Sequence, residues 1–285
     1  MDDLLAHIEA YYDALPRTAA RAEPLGSFTL FVNRGPGWTY YARPTLGATT
    51  FSAADVAQVR ARQRALGVPE ALEWVAETTP GVRPAAEAAG LQVREHPLLV
   101  LDRAARRRAP APAGAGVRLV TDEDDLALLG AVARVAFGVP GTAVGSEGIE
   151  ALAAARAGRA LEDGAFERGR LRAGWTIMAA AWVDGHPVAI GSHQPIAGVS
   201  EVVGVATLPA YRRRGIAAAL TDALVEDALR GGRRTIFLSA GDATVARVYQ
   251  RLGFGRIATA CVADASDYAH EVTPSRDNRR VSQPI

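Results

Sequence analysis

The sequence predicts a mixed α/β fold (α+β mixed sheet), in which an antiparallel meander leads into a strand–helix–strand–helix–strand unit. Two observations predict this arrangement. Asp184-Gly185 is a strong hairpin signal, and it separates the apolar runs 175–183 and 188–194. From residue 201 to residue 262, short apolar runs then alternate with segments of helical periodicity. Such an alternation favours one sheet with helices packed against it.

The elements before residue 106 follow from local signals. Ser52 can cap a helix, and Gly90 stands where a left-handed residue ends another. The predicted helices are 3–15, 52–66 and 82–89, and the predicted strands are 28–32, 38–42, 71–76 and 91–101, the last interrupted at Pro97.

After residue 116, the acids that begin at Asp122 favour a helix there, because the positive end of a helix dipole attracts them. The predicted helices are 122–136, 146–160, 215–229 and 243–252, and the predicted strands are 117–120, 175–183, 188–194, 201–208, 235–240 and 256–262.

One stretch lacks hydrophobic periodicity and is rich in proline and glycine. It predicts a linker at 106–116 between a domain at 1–105 and a second domain at 117–269. The remaining residues, 270–285, are polar and contain two prolines, Pro274 and Pro284. We expect them to form an extended arm or a frayed end.

The composition excludes several classes of protein. Among 285 residues, 49% are hydrophobic and 22% are charged, as in ordinary globular proteins. Cys261 is the only cysteine, which excludes an intramolecular disulfide and a metal site built on several cysteines, and no metal is expected. A net charge of +1 gives no support to a protein that coats nucleic acid. The uncharged apolar runs are too short to predict a membrane span.

The segment 201–217 is the most informative part of the chain. A strand ends at Pro209, and Arg212-x-x-Gly215-x-Ala217 then opens an amphipathic helix. A helix N-terminus presents unpaired N–H groups and a positive dipole end. Gly215 and Ala217 leave room for a phosphate to approach the backbone. The pattern predicts a pyrophosphate-binding loop, while the absence of lysine and of G-x-G-x-x-G excludes the usual ATP and NAD cradles.

This segment resembles the acyl-CoA-binding motif of the GNAT N-acetyltransferase superfamily, although Thr207 stands where valine is commoner. A second segment, Asp242-Ala-Thr-Val-Ala246-x-x-Tyr249-x-x-x-Gly253-Phe254, is similar to the next motif of that family, with aspartate in place of the usual asparagine. The order, spacing and predicted structure of both motifs agree with the family. The resemblance covers roughly residues 116 to 265 and implies the GNAT acyl-CoA N-acyltransferase fold.

The resemblance implies acetyl-CoA as the cosubstrate, bound where strand 201–208 splays from strand 235–240. The pantetheine arm is expected on backbone groups of the first strand, and the pyrophosphate on the N–H groups that follow. Asp242 is expected near the pantetheine, or it caps the following helix instead. The expected cofactor-binding residues are Val205, Ala206, Thr207, Arg212, Arg213, Arg214, Gly215, Ile216, Ala217, Ala218 and Asp242.

The resemblance also implies direct attack of an amine on the thioester, which needs a base for the amine and an acid for the departing thiolate. Tyr249 occupies the family position beside the cofactor sulfur and is the candidate acid; the alternative is a core tyrosine. Glu201 is the candidate base, since some family members carry a glutamate at the start of the same strand. The alternative for Glu201 is a strand-end residue that faces solvent or pairs with an arginine.

Two further residues are candidates for binding the acceptor. His193 lies on the strand predicted to pair with that of Glu201, and Trp182 lies on the strand before it. As alternatives, His193 has a structural role and Trp182 belongs to the core.

The first 105 residues contain a weak internal repeat. Ala85-Ala-Glu-Ala-Ala-Gly90-Leu91 resembles Val248-Tyr-Gln-Arg-Leu-Gly253-Phe254, with Ala86 at the tyrosine position. We interpret these residues as a degenerate GNAT-like half of a tandem protein that has lost its CoA site and shapes the acceptor cleft. Trp38, Tyr40 and Tyr41 are candidate walls of that cleft. An unrelated α/β module is the alternative.

The sequence is therefore compatible with two functions. The first is an acetyl-CoA-dependent N-acetyltransferase that acts on a small-molecule or peptide amine, and Glu201 and Tyr249 favour it. The second is a non-catalytic acyl-CoA-binding sensor or interaction protein, which Asp242 favours. The expected partner is the amine acceptor, with no nucleic acid and no membrane, and a homodimer is compatible with the sequence. Because no basic region precedes an apolar run at the N-terminus, we expect a cytoplasmic protein. We also expect a bacterial source.

Overall fold

The computed structural model describes residues 2–265 except 36, 38 and 159–163. Trp38 and the predicted tail at 270–285 thus lie outside the described residues. The helices are α1 (Asp2–Ala14), α2 (Ala53–Leu66), α3 (Val82–Ala88), α4 (Leu126–Phe137), α5 (Ile149–Ala157), α6 (Ala165–Arg172), α7 (Ile216–Arg230) and α8 (Ala243–Gln250). The strands are β1 (Ala20–Leu25), β2 (Phe28–Asn33), β3 (Arg43–Pro44), β4 (Ala71–Val75), β5 (Gln92–Leu101), β6 (Ala115–Leu119), β7 (Ile177–Val183), β8 (His186–Ile196), β9 (Val199–Thr207), β10 (Thr235–Ser239) and β11 (Phe254–Asp264).

The strands form two sheets. The large sheet has eight strands in the order β4-β11-β5-β10-β9-β8-β7-β6, and β1, β2 and β3 form a small antiparallel sheet. Along the large sheet, the described neighbours pair antiparallel except β9 and β10, which are parallel. The predicted mixed α/β fold, with a meander leading into strand–helix–strand units, is confirmed.

Strands from the two predicted halves alternate in the middle of the large sheet. The first half contributes β4, α3 and β5, and the second contributes β10, α8 and β11 in the same order. Each closing strand, β5 or β11, lies between the two strands of the opposite half. This two-fold pattern is what two related units give when they exchange their last strands, and it supports the tandem interpretation. Because β4 and β5 are built into the sheet of the second half, the division at 106–116 stays a proposal about how the chain is organised.

The exchanged strands follow helices that end in the same way. Gly90 after α3 has φ 81° and Gly253 after α8 has φ 98°, so both adopt the left-handed conformation that favours glycine. Residues next to the predicted linker pass close to Gly253, since the Asp102 N–H donates to the Gly253 carbonyl at 2.9 Å. Arg106 then pairs with Asp222 of α7 at 2.7 Å and with Glu226 at 2.9 Å. The linker is therefore docked on the helix layer.

The two faces of the large sheet carry different helices. On one face, α7 and α8 bury Leu220, Leu224 and Tyr249 in one cluster with residues of the central strands. On the other face, α1 buries Ile8 and Tyr11 in a cluster with strand residues, among them Leu98 and Phe237. A third cluster lies under α2 and α3 and includes Cys261. The parallel pair β9–β10 is thus covered by the second half on one face and by α1 on the other.

The bounds of one strand and one helix differ from the sequence prediction because of tertiary contacts. The strand predicted at 38–42 is instead β3, because the Ala42 N–H donates to the Ala71 carbonyl at 3.3 Å and β2 pairs with Arg43. The helix predicted from Asp122 begins only at Leu126, since Asp125 caps it by accepting from the Leu128 N–H at 2.9 Å. Asp122 pairs with Arg172 at 2.6 Å instead.

Two further features differ from the sequence prediction. Strand β5 runs through Pro97 without interruption, because the β10 ladder ends at Leu98 and the missing proline N–H falls beyond it. The Pro97 carbonyl still accepts from the Ala240 N–H at 2.9 Å. Helix α6, which the sequence patterns did not indicate, lies between the predicted helix at 146–160 and β7.

We predict that Gly253→Ala lowers the free energy of unfolding by about 2 kcal/mol or more, because a Cβ at a left-handed φ is strained. This Cβ would also lie 2.7 Å from the Ala105 carbonyl oxygen. Urea unfolding followed by circular dichroism measures the change. Gly255→Ala is the matched control, since a Cβ there meets no atom within 4 Å and φ is not left-handed. Equal stability of the two variants would contradict the docking of the linker at Gly253.

Candidate functional site

Strands β9 and β10 are paired only at their first residues. The pairs are Thr235 with Val199, Ile236 with Ser200, and Phe237 with Glu201. Beyond Glu201, β9 continues to Thr207 with no described partner on the β10 side, while β10 stays paired with β5 on its other side. The predicted splay is therefore present, and Glu201 lies at its apex.

A β-bulge bends β9 just after the apex. Ser192 pairs with Val203 and Ile190 with Ala206, so Gly204 and Val205 together oppose Gly191. Gly204 has φ 65°, and a bulge of this kind increases the local twist. A Cβ on Gly191 would lie 3.1 Å from the Val205 side chain, so this glycine lets the strands close on the bulge. The expected pantetheine-binding residues Val205, Ala206 and Thr207 thus lie on an edge that faces the gap.

The loop after β9 forms a concave row of backbone N–H groups. Arg213 and Gly215 have φ 64° and 82°, and α7 starts at Ile216. The first α-helical bond of α7 runs from the Ala219 N–H to the Gly215 carbonyl at 3.1 Å. The N–H groups of residues 213–218 therefore donate to no acceptor among the described residues. Successive N–H groups around left-handed residues form an anion-binding nest, and the helix N-terminus adds a positive potential.

The three arginines before Gly215 have different environments. The Arg212 guanidinium donates to the carbonyls of Ala136 and Val139, each at 2.8 Å, so it holds the end of α4 against the end of β9. Arg214 donates to the Ala210 carbonyl at 3.0 Å, and Arg213 is exposed. Arg212 therefore supports the loop from behind, while Arg213 and Arg214 lie on its exposed side.

Glu201 lies in a mixed aromatic and charged environment on the α1 face. Its Oε1 accepts from the Tyr12 hydroxyl at 3.3 Å. Burial raises the pKa of Glu201 to about 8, the charge of Glu73 acts in the same direction, and Arg43 and the Tyr12 hydrogen bond act in the opposite direction. At neutral pH this carboxyl therefore carries a proton that it can give up near pH 8. The alternative of a solvent-facing residue does not match these surroundings.

Tyr249 lies on the opposite face, in the last turn of α8. Its side chain is buried, and its ring packs edge-on against Phe254 with centroids 6.2 Å apart. Burial raises the pKa of Tyr249 to about 12, so the phenol stays protonated over the working range of proteins. Its hydroxyl donates to none of the described residues. The Tyr249 ring thus packs in the core while its hydroxyl stays available, and its role as the acid stays a prediction.

Asp242 caps α8. Its Oδ1 accepts from the N–H groups of Thr244 and Val245 at 2.7 and 2.8 Å, as the helix-cap alternative expects. The helix-cap role is therefore present, and an asparagine Oδ1 would fill it equally well. Its contact with pantetheine stays a prediction.

The structure does not bring His193 and Trp182 together with Glu201. His193 is buried under α7, where its two ring nitrogens contact Ser200 at 2.8 Å and Asp227 at 3.1 Å. Burial lowers the pKa of His193, against the influence of Asp227. Trp182 lies two strands from β9, and the Arg118 guanidinium stacks 4.2 Å from its ring centroid. His193 therefore faces α7, opposite to Glu201, while Trp182 lies on a strand that does not neighbour β9.

The residues that do surround Glu201 come from the first half of the chain and were not predicted as site residues. Tyr11 and Tyr12 fall in a predicted helix, and two adjacent aromatics on an amphipathic helix are a signal that could have found them. Arg43 and Glu73 pair at 2.8 Å and lie far apart in sequence, so no local pattern reveals them. Of the predicted cleft walls, Tyr40 is near Arg170 of α6, whose charge acts on it.

The described residues offer neither a metal cluster nor a membrane span. Among them, no group of three or more His, Cys, Asp or Glu side chains is arranged to hold a metal ion. None of the described helices is long and apolar enough to span a membrane.

Part of the chain matches the model of a known protein family. Residues 151–254 match the model of the acetyltransferase (GNAT) family. A GCN5-related N-acetyltransferase from Kribbella flavida has a similar structure, with a TM-score of 0.69, 23% identity, and coverage of 93% of this chain and 96% of that one. A comparison with curated proteins gave no match.

Two other solved structures share the fold. A putative GNAT acetyltransferase from Novosphingobium aromaticivorans has a TM-score of 0.51 at 21% identity, over 88% of this chain and 92% of that one. A tandem GNAT protein from the clavulanic acid biosynthesis pathway has a TM-score of 0.54 at 16% identity, over 84% and 78%. Residues 151–254 are therefore a GNAT acetyltransferase domain, and the chain has the fold of the GCN5-related N-acetyltransferases, some of which are tandem proteins.

We predict that Gly215→Glu weakens the binding of CoA by about 100-fold or more, because a carboxylate then lies among N–H groups arranged for an anion. Isothermal titration calorimetry with CoA measures the loss. Gly232→Glu is the matched control: Gly232 follows the other end of α7, has φ 77°, and likewise has no atom within 4 Å of an added Cβ. Equal binding by the two variants would show that the nest does not hold the diphosphate.

Proposed function

We propose that this chain is a cytoplasmic N-acetyltransferase that moves an acetyl group from acetyl-CoA to the amine of a small molecule or a peptide. One observation supports it most: a carboxyl whose pKa is raised to about 8 lies where two parallel strands part, and an anion-binding nest follows the same strand. Direct acetyl transfer from CoA to an amine requires a base whose pKa is close to neutral pH and a site for the diphosphate of CoA.

The described residues fit acetyl-CoA. The N–H groups of residues 213–218 suit a diphosphate, and the unpaired edge of β9 at 205–207 suits an extended amide chain that adds a pseudo-strand. When bound, acetyl-CoA supplies an acetyl thioester. Gly215 leaves the approach to the nest open, since a Cβ there would meet no atom within 4 Å.

Glu201 acts on the acceptor. An amine attacks only as the neutral species, so a proton must leave the ammonium form before or during attack on the thioester carbon. The ionised Glu201 carboxylate takes this proton, and its raised pKa makes it a stronger base than an ordinary glutamate. The new C–N bond then forms as the C–S bond breaks.

The other residues stabilise charge as it moves. Backbone N–H groups of the bulged segment 204–206 can donate to the oxygen that becomes negative during attack. Tyr249 donates its phenolic hydrogen bond to the departing sulfur and passes on its proton as solvent resupplies it, so neither a bare thiolate nor a buried phenolate is left in a dry cleft. The nitrogen loses two protons between the ammonium and the amide, of which Glu201 takes one and solvent takes the other. The sulfur gains one proton by way of Tyr249, so one proton is released overall once solvent has returned both residues to their starting state.

The base supplies the first kinetic test. We predict that Glu201→Gln lowers turnover by about 100-fold or more while CoA binding changes little, since an amide cannot take the proton. In the wild type, turnover should rise with pH to a midpoint near 8 and then level off, because Glu201 must be ionised. Release of the CoA thiol with a panel of amines, measured from about pH 6 to about pH 10, tests both. Glu95→Gln, another strand glutamate, is the control, and equal rates for the two variants would remove Glu201 from the chemistry.

Tyr249, the candidate acid, supplies the second kinetic test. We predict that Tyr249→Phe lowers kcat by about 10- to 100-fold and leaves the affinity for CoA and the thermal midpoint nearly unchanged. The ring packing on Phe254 is kept, and only a hydroxyl without a described partner is lost. Steady-state kinetics, calorimetry and thermal unfolding measure the three quantities. An unchanged kcat would leave Tyr249 as a core residue only.

The same assays separate this proposal from a non-catalytic acyl-CoA-binding protein. Tight binding of acetyl-CoA without thiol release for any amine would support the sensor. Amine-dependent release that is lost in Glu201→Gln would support the enzyme.

A further inference from the structure

Three elements of the first 105 residues converge on Glu201, and none of them belongs to the matched domain at 151–254. We propose that Tyr12, Arg43 and Glu73 form a positioning network for Glu201, in which Tyr12 orients the carboxylate and the Arg43–Glu73 ion pair sets the local field. The kinetic consequences rest on the N-acetyltransferase function proposed above, whereas the contacts themselves do not.

Tyr12 is held in a single orientation. Its ring packs edge-on against Phe237, with centroids 5.4 Å apart and planes at 89°, and Phe237 is the residue of β10 paired with Glu201. Its hydroxyl donates to Glu201 Oε1 at 3.3 Å. The neighbouring Tyr11 packs on the same Phe237 and donates to the Gln194 carbonyl at 2.8 Å, which fixes this turn of α1 on β8. The hydrogen bond to Glu201 therefore has a fixed direction.

Arg43 connects Tyr12 to Glu73. Its guanidinium carbon lies 3.8 Å from the Tyr12 ring centroid, its Nη1 donates to Glu73 Oε2 at 2.8 Å, and only 8% of the residue is exposed. The Glu73 N–H donates to the Ala42 carbonyl at 2.9 Å, which brings the two side chains together from adjacent segments. The Arg43 Nε is buried and has no partner among the described residues. The guanidinium is thus held between the Tyr12 ring of α1 and the Glu73 carboxylate of β4.

The energetics of the pair argue for an electrostatic role. A buried ion pair is often no more stabilising than apolar residues of the same volume. Here the pair lies beside the one carboxyl at the apex of the splay, and its two ends act on that carboxyl with opposite sign. The charge of Arg43 favours the ionised form of Glu201, and the charge of Glu73 favours the protonated form.

The groups that face Glu201 come from every element packed around it. They are Tyr11 and Tyr12 of α1, Arg43 of β3 and Glu73 of β4, with Arg170 of α6 acting on Tyr11. Among the charged members next to Glu201, Arg43 and Glu73 cancel. The network is therefore neutral when Glu201 is protonated and carries one negative charge when it is ionised, which suits a cationic amine arriving at the site.

The experiment removes the two ends of the ion pair separately. We predict that Glu73→Gln moves the midpoint of the pH–kcat profile down by about one unit, and that Arg43→Met moves it up by about one unit. Tyr12→Phe should lower kcat several-fold with KM for acetyl-CoA unchanged, because the carboxylate loses its orientation. A merely structural role for the pair would not give shifts of opposite sign.

The matched control is the ion pair of Arg62 and Glu23, which lies elsewhere in the first half with contacts of 2.9 and 3.0 Å. Glu23→Gln should leave the midpoint unchanged. If Arg43→Met does not fold, Glu73→Gln decides alone, since 35% of the Glu73 side chain is exposed and tolerates an amide. Shifts of the same sign, or no shift in Glu73→Gln, overturn the network.

A second readout separates this proposal from the function on which it builds. The pKa of Glu201 is raised from 4.5 to about 8 in the folded state, so its protonated form stabilises the fold at low pH, and that stability is lost as pH rises between these values. The difference in unfolding free energy between the wild type and Glu201→Gln reports this window without any substrate. If the upper limit of this pH range moves in opposite directions in Glu73→Gln and Arg43→Met but no amine is acetylated, the result supports the network and contradicts the proposed function. Acetylation of an amine with an unmoved window supports the function and overturns the network.

Discussion

The break in pairing between β9 and β10 after Glu201 is the constraint on which the site depends. Two parallel strands would normally stay paired, but the bulge at Gly204 and Val205 turns β9 away from its neighbour. The bulge needs Gly204 at a left-handed φ and Gly191 opposite it. The gap that results exposes backbone groups of β9 toward the interior of the sheet, places Glu201 at its apex, and leads the chain directly into the nest at 213–218. A fully paired β9 would leave no backbone groups for a ligand to contact.

The first half of the chain completes this arrangement in two ways. Its strand β5 lies between β10 and β11, so it supports the outer side of the gap where β9 does not. Its helix α1 covers the Glu201 face, and this burial, together with the charge of Glu73 on β4, raises the proton affinity of the carboxyl. A half without the arginine–glycine loop thus contributes support and environment to the site of the other half. This division of labour is consistent with two related units that exchanged strands and then diverged.

Several parts of the site could be predicted because they are properties of short segments. The loop at 212–217 is an arginine-rich turn, a left-handed glycine and a helix start, and all three are encoded within six residues. The glycines that end α3 and α8, the hairpin at Asp184-Gly185 and the cap at Asp242 have the same local origin. Arg212 was predicted beside the cofactor, yet its guanidinium binds carbonyls of the α4 end, because those acceptors come close only in the folded chain. His193 and Trp182 lie away from the site for the same reason, since Asp227 and Arg118 are closer partners.

By itself the sequence determined the class of fold and the anion-binding loop, because these depend on neighbouring residues and on periodicity. Its resemblance to the GNAT family implied the two candidate catalytic groups. The tertiary structure alone decided which half covers which face, the exchange of β5 and β11, and the surroundings of Glu201. Residues 12, 43 and 73 meet at residue 201 only after the sheet has formed. Their effect on Glu201 is electrostatic and acts across a few ångströms of space, and no local pattern of amino acids records such distances.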